Sequence, residues 1–166
     1  MKFSIQLTNE LNKLIGFSQP QPKIVVMHGA DGMTLDVEFT AVDSMSCAFR
    51  EVRLRVPSLI DAEFDVLKKW AEELGKRVTY LLENIGPLEF DPANNQVLMR
   101  STPPGKKADA KSFYEVLLQA HSDGNFTLRR FEARKGRPGR DRVDMQTTHE
   151  VLTRLVDDLV ETIPDV

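Results

Sequence analysis

Apolar and polar side chains alternate without a break over residues 33–42, which is typical of a β-strand that buries one face. The apolar face carries Met33, Leu35, Val37, Phe39 and Ala41. A compact Ile/Val run at residues 23–28 precedes this segment across a glycine-containing turn at 29–32. Any fold of this chain therefore has to supply a sheet for these strands.

The segment after residue 42 fits a hairpin partner for this strand. A turn at Ser44 and Met45 brings apolar residues together on one face and opposite charges together on the other. The same register sets Glu38 against Glu51, with Arg53 diagonal to Glu38. The predicted pairs are Met33 with Val56, Leu35 with Leu54, Val37 with Val52, and Asp36 with Arg53.

Two helices are predicted in the first half of the chain from apolar residues at helical spacing. The first follows Ser4 as its N-cap, carries its apolar residues at positions 7, 11, 14 and 15, and ends at Gly16. The second begins at Ser58, in a sequence that resembles a capping box, and ends at Gly75. Trp70 falls outside the apolar stripe of this second helix, so we expect it at the fringe of the core.

Strand-like segments dominate the second half. Residues 77–83 are β-rich and are predicted as a strand, and residues 88–90 and 96–100 flank an Asp-Pro turn typical of a hairpin. A second hairpin joins residues 112–121 to 125–133 through a three-residue loop. This loop length pairs Leu118 with Leu128, Ala120 with Phe126, and Gln119 with Thr127.

A third helix is predicted over residues 151–163, after a capping box at 147–150 and before Pro164. Its apolar stripe is wider than one face of a small core needs, which suggests a contact with a second chain. The proposed interface residues are Val151, Leu152, Leu155, Val156, Leu159, Val160 and Ile163. The leading hypothesis is thus a non-enzymatic interaction or scaffold protein that forms a homodimer or binds another protein.

The order of elements predicts an α+β protein with an antiparallel sheet of about six to eight strands and three helices packed on one face. The length of 166 residues fits a single domain spanning 1–166. Polar segments rich in Pro and Gly predict exposed loops near 18–22, 101–111 and 135–141.

Composition narrows the cellular setting. Cys47 is the only cysteine, so an internal disulfide is excluded and a reducing compartment is favoured. The first residues lack the apolar core of a secretory signal, and no stretch approaches the ~20 apolar residues of a membrane span. We expect a soluble cytoplasmic protein that does not engage a membrane.

Positive charge is concentrated in one window of a chain whose net charge is −3. Residues 129–142 hold seven of the 22 Lys and Arg residues and only two acidic ones. Arg129 and Arg130 are successive strand residues and must point to opposite faces. The remaining cluster, an alternative site for nucleic acid or another polyanion, is Arg134, Lys135, Arg137, Arg140 and Arg142.

Residues 135–140, Lys-Gly-Arg-Pro-Gly-Arg, resemble the AT-hook, a short motif that lies in the minor groove of AT-rich DNA. The resemblance covers six residues, and Lys135 stands where that family usually has an arginine. The competing interpretation is a solvated surface loop, or one whose cations form ion pairs within the chain. Acidic residues at the unfavourable C-terminal end of the last helix are the expected partners, namely Asp157, Asp158, Glu161 and Asp165.

No segment carries a recognisable catalytic, metal or cofactor motif. His28, His121 and His149 lack ligand spacing, and Cys47 has no cation beside it in the sequence. We therefore predict no catalytic, cofactor-binding or metal residues from local patterns. A third hypothesis stays open, an enzyme or small-ligand binder whose pocket is assembled from residues distant in sequence.

Overall fold

The computed structural model describes residues 1–102, 105–107, 109–121 and 125–165, and for 105–107 it describes the backbone alone. In this part of the chain, three α-helices pack on one face of an antiparallel sheet, which confirms the predicted α+β class. The helices are α1 Phe3–Leu14, α2 Phe64–Arg77 and α3 His149–Glu161. The strands are β1 Ser18–His28, β2 Thr34–Val42, β3 Ser46–Arg55, β4 Asn84–Asp91, β5 Gln96–Thr102, β6 Gly105–Lys107, β7 Ala110–Gln119, β8 Phe126–Arg134, β9 Asp141–Val143 and β10 Met145–Thr148.

The main path of the sheet runs in the order β1-β2-β3-β8-β7-β5-β4. Three short strands lie off this path, with β10 beside β3, β9 beside β8, and β6 beside β7. Strand β3 pairs with β10 over residues 46–49 and with β8 over residues 52–54. The sheet therefore divides beyond the middle of β3, at a place we call the sheet fork.

The predicted pairing of β2 with β3 is confirmed. Leu35 lies opposite Leu54, Val37 opposite Val52, and Asp36 opposite Arg53. The two acidic residues Glu38 and Glu51 also face each other. Burial of one complete face fixes this register, since a slip by one residue would expose every apolar side chain.

The register predicted for the last hairpin is wrong by two residues. Strand β7 pairs Leu118 with Phe126 and Val116 with Leu128, so the apolar faces are kept but the loop is longer. Ala120 leaves the ladder, because its carbonyl accepts a hydrogen bond from the Asp61 amide at 2.8 Å. The turn residues 122–124 lie outside the described residues.

Two of the expected loops contain strand instead. Strand β1 begins at Ser18, and its prolines are tolerated because β1 is an edge strand whose pairing is interrupted between Ser18 and Lys23. The stretch 101–111 holds the end of β5, β6 and the start of β7; its residues 103, 104 and 108 lie outside the described part. Residues 135–140 form exposed turns between β8 and β9.

The boundaries of α2 differ from the prediction. A 3₁₀ turn, Pro57–Leu59, occupies the expected start, and the helix runs through Gly75. A Cβ atom at Gly75 would lie 3.2 Å from the Ile85 carbonyl oxygen, so this glycine permits close packing on β4 rather than ending the helix. The predicted strand over 77–83 is absent; residues 78–83 are irregular.

The core uses residues that the sequence pattern placed elsewhere. Trp70 is fully buried rather than at the fringe, and its ring lies 6.1 Å from that of Phe126. The wide apolar stripe of α3 is also largely buried within the chain, whereas the sequence pattern suggested that it contacts a second chain. Leu152, Leu155, Val156 and Leu159 are buried, while Val151, Val160 and Ile163 are partly buried and pack against the same core.

Candidate functional site

The arginines of the basic segment are ion-paired close to the sheet. Arg134 contacts Glu132 at 2.9 Å, and Arg137 contacts Asp141 at 3.6 Å. Arg140 donates to Glu115, and Arg142 donates to the Arg50 carbonyl. Lys135 has an exposed side chain. The structure thus gives the four arginines among the five predicted polyanion-binding residues separate partners within the chain.

The expected pairing of the basic segment with Asp158 and Glu161 at the end of α3 is wrong, because Arg77 of α2 and Arg154 of α3 contact these carboxylates instead. The buried Asp158 carboxylate lies 3.2 Å from Arg77 and accepts a 2.6 Å hydrogen bond from the Tyr80 hydroxyl. Arg77 also pairs with Glu161, and Arg154 lies 3.9 Å from Asp158 along its own helix. These cations compensate the unfavourable acidic charge at this helix end.

Glu51 is the centre of a charged cluster on the open face, the side of the sheet away from the helices. Arg129 donates to it at 2.8 Å, and guanidinium nitrogens of Arg142 and Arg53 lie 3.6 and 3.7 Å away. The positive charges of these three arginines offset the repulsion between Glu51 and Glu38, which face each other across β2 and β3. Burial first, and then the nearby Arg129, lower the pKa of Arg142.

A second cluster surrounds Glu115 on the same face. Arg100 contacts this carboxylate at 3.2 Å and Arg140 contacts it at 3.0 Å. Burial of Glu115 would raise its pKa, but the hydrogen bonds from Arg140 and Arg100 outweigh burial and lower it. The Arg140 guanidinium also lies 3.8 Å from the centre of the Phe131 ring, and that of Arg100 lies 4.4 Å from Phe113. We call Arg53, Arg100, Arg129, Arg140 and Arg142 the arginine layer.

A pocket of about 790 Å³ lies at the sheet fork, and we call it the fork pocket. Residues from both branches of the sheet, from the start of α3 and from the irregular segment after α2 enclose it. Its larger apolar and aromatic walls are Phe17, Val42, Cys47, Tyr80, Leu81, Leu82, Tyr114 and Val151. Its polar groups are Ser18, Asp43, Ser46, Gln146, Thr147 and Thr148. Leu82 is 99% exposed at positive φ (66°), an uncommon backbone conformation for a leucine.

The surroundings of the fork pocket shift the pKa values of its ionisable groups away from neutral pH. Burial raises the pKa of the Cys47 thiol to about 11, so the thiol stays protonated at neutral pH. Burial and the hydrogen bond to Asp158 raise the pKa of Tyr80, and burial raises that of Tyr114. Hydrogen bonds from the Met45 and Ser46 amides lower the pKa of Asp43. Asp43 is the only carboxylate in the described lining, which contains no Lys, Arg or His.

A partly buried polar cluster supports the Tyr114 side of the pocket. The Arg130 guanidinium lies 4.2 Å from the centre of the Tyr114 ring and donates to Glu83 at 2.9 Å and Ser112 at 2.8 Å. Ser101 donates to the other oxygen of Glu83. Arg129 and Arg130 do point to opposite faces, as the strand geometry predicts.

The three histidines are not brought together. His121 Nε2 lies 2.7 Å from the Asn94 carbonyl oxygen, and His149 Nε2 lies 3.1 Å from that of Ser46. The His28 carbonyl accepts a hydrogen bond from Gln6. Within residues the structure describes, no three His, Cys, Asp or Glu side chains are grouped so that they could hold a metal ion.

Sequence reasoning missed the fork pocket, because its residues come from several separate elements. Thr148 was notable only as part of a cap, and it does cap α3 by accepting a 3.1 Å hydrogen bond from the Val151 amide. A weak local signal existed in the apolar residues Leu81 and Leu82, which lie between α2 and β4 outside either element.

Two findings complete the description of the chain. Among the described helices, none combines the length and the apolar character needed to cross a membrane. No protein-family model, curated protein or solved structure that was compared with the chain matches it.

Proposed function

We propose that the protein binds a small ligand with an apolar body in the fork pocket. The observation that carries this proposal is the pocket itself, whose volume of about 790 Å³ falls in the range of ligand-binding sites. Aromatic and aliphatic side chains form most of its walls, and hydroxyl and amide groups are placed among them. This combination buries apolar surface and fixes the orientation of a ligand through a few hydrogen bonds.

The charges around the fork pocket disfavour an anionic group on the ligand. No cation in the described lining is available to an anionic head group, and Asp43 would repel one. Thr147 donates its hydroxyl hydrogen to the Thr148 carbonyl, and its oxygen lies 3.8 Å from the Cys47 sulfur. One of its two lone pairs is left to accept a hydrogen bond from a ligand. Gln146 offers both donors and an acceptor.

Binding rather than catalysis suits the protonation states in the pocket. With a pKa of about 11, Cys47 contributes a protonated thiol and apolar surface at neutral pH. Both tyrosines keep their protons because their pKa values are raised. General acid–base catalysis works best with groups that titrate near the operating pH, and these groups do not.

A titration with a neutral solvatochromic dye such as Nile red tests this proposal. We expect saturable binding to the wild type and at least about tenfold weaker binding to Val151→Phe, because the larger ring projects into the pocket and clashes with the ligand. Val160→Phe is the matched control, since Val160 is also a partly buried valine of α3 but does not line the pocket. Equal dye affinities for the two variants would refute the assignment.

Self-association is a second candidate function, supported by the exposed edge of β1. Ile24 and Val26 are 60% and 52% exposed, and they follow each other on the open face of this edge strand. Self-complementary pairing of two copies of β1 would set Ile24 of each against Val26 of the other. A homodimer of this kind would use the sheet edge rather than the buried stripe of α3.

We propose that the protein acts in the cytoplasm. The single buried thiol of Cys47 suits a reducing compartment, where no disulfide is required.

A further inference from the structure

The arginine layer has its positive charges outside and its negative charges beneath. The side chains of Arg53, Arg129 and Arg140 are 45%, 42% and 37% exposed, and those of Arg100 and Arg142 are 34% and 32% exposed. Glu51 and Glu115, which they contact, are each 12% exposed. Solvent therefore meets five guanidinium groups, with Glu51 and Glu115 beneath them and Asp36 3.7 Å from Arg53 at their margin.

The ion pairs do not use up the donors of this layer. Each guanidinium group has five N–H donors, whereas the three carboxylates that pair with them, Asp36, Glu51 and Glu115, offer six oxygens in total. The remaining donors suit phosphate oxygens, because planar guanidinium groups bind phosphate with paired hydrogen bonds. An anion over the layer would also relieve the mutual repulsion of Arg129 and Arg142, which share Glu51.

The layer extends across the sheet instead of surrounding a point. Arg53 lies on β3, Arg129 on β8 and Arg100 on β5, and the strand order β3-β8-β7-β5 separates the first from the last by three strand spacings. Three spacings amount to roughly 14 Å. A single small anion could not reach all of these groups, whereas a chain of phosphates could.

Aromatic rings lie under the same arginines. Phe113 and Phe131 pair across β7 and β8 with ring centres 6.1 Å apart, and guanidinium groups of Arg100 and Arg140 cover them. If these guanidinium groups turn toward phosphate, the rings become available for stacking with unpaired bases. Unpaired bases are a property of single strands and not of duplexes.

We propose that the open face of the sheet binds single-stranded nucleic acid, with the arginine layer contacting its phosphates. The inference does not rest on the fork pocket, since no residue of the layer lines it. It also differs from binding by the turns at 135–140, because most of the layer lies on the strands of the sheet.

Fluorescence anisotropy of the full chain with a labelled 20-nucleotide oligouridylate, between 25 and 200 mM salt, tests the proposal. We expect the logarithm of the association constant to fall linearly with the logarithm of salt concentration. The double variant Arg53→Gln/Arg140→Gln should bind about tenfold more weakly at low salt, with a slope reduced by about 1.4. Arg129 and Arg142 still pair with Glu51, and Arg100 with Glu115, so both of these carboxylates stay compensated. Asp36 loses its contact with Arg53 but is 29% exposed to solvent.

The matched control is Arg134→Gln/Arg137→Gln, which removes the same charge from the turn region. We expect this control to keep the wild-type affinity within about twofold and the wild-type salt slope. If the double variant Arg53→Gln/Arg140→Gln unfolds at a lower temperature than the wild type, the single variant Arg53→Gln replaces it. The salt slope of the single variant should be reduced by about 0.7. The proposal is overturned by no binding at 25 mM salt, by an equal loss in the control, or by equally tight binding of a 20-base-pair duplex or heparin.

Discussion

Trp70 illustrates how one polar atom can fix the position of a large apolar residue. Its indole nitrogen donates a 3.1 Å hydrogen bond to the Thr162 hydroxyl, which in turn donates to the Asp158 carbonyl at 2.7 Å. The contact joins α2 to the end of α3 in the buried core. A tryptophan can be fully buried when its N–H finds such an acceptor.

Thr162→Val should therefore destabilise the protein by about 1 to 3 kcal/mol, because the shape is kept while a buried N–H loses its partner. Thr153→Val is the control, since Thr153 also donates to a helix carbonyl but accepts no bond from a buried tryptophan. Urea unfolding followed by tryptophan fluorescence measures both. The same loss of stability in the two variants would contradict the role of the Trp70 contact.

At the scale of elements, the two edge strands are protected unequally. Strand β4 carries Pro87 and an irregular register before Glu89, which discourage pairing with another chain. In β1 the prolines occupy only the first half, so residues 23–28 remain a regular edge with Ile24 and Val26 exposed. An exposed apolar edge of this kind favours association.

We expect the wild type to dimerise with increasing concentration in equilibrium sedimentation, and Val26→Lys to weaken the dimer at least about tenfold, because a charge is buried in the proposed contact. Leu88→Lys provides the control on the opposite edge, where Leu88 is 53% exposed. A wild type that stays monomeric at the highest concentration, or equal weakening by both changes, would rule out the β1 interface.

For the whole molecule, the sign of the buried titrations predicts sensitivity to alkali. The Cys47 thiol has a reference pKa of 9.0 and a folded-state pKa of about 11, and the pKa values of Tyr80 and Tyr114 are raised above 10.0. At a pH between the reference pKa and the folded-state pKa of such a group, the unfolded chain binds fewer protons than the folded one. Rising pH therefore favours unfolding.

The free energy of unfolding should begin to fall above pH 9, and the Cys47 contribution to this loss should reach about 2 to 3 kcal/mol near pH 11. Guanidinium unfolding at a series of pH values measures the loss, with Cys47→Ala as the comparison. The variant should lose less stability over the same interval because it has no thiol to titrate. Identical pH profiles would contradict the raised pKa of Cys47.

Features that depend on neighbours along the chain were predictable from the sequence. The alternation around Val37 predicted a strand face and its register with β3, and the capping box at 147–150 predicted the start of α3 to within two residues. The predicted register of the last hairpin is wrong by two residues. The reason is that Ala120 and Asn125 form hydrogen bonds with Asp61 and Val56 rather than extending the pairing of β7 with β8. Such contacts join segments that are far apart in sequence.

By itself, the sequence determined the fold class and the sidedness of its strands, because both follow from the period of apolar residues. Only the tertiary structure decided the destinations of the cations, since an ion pair depends on distance in space. It separated the basic segment into pairs, placed Arg140 and Arg142 in the arginine layer, and kept Arg134 outside that layer. It also assembled the fork pocket, whose walls no local pattern could have brought together.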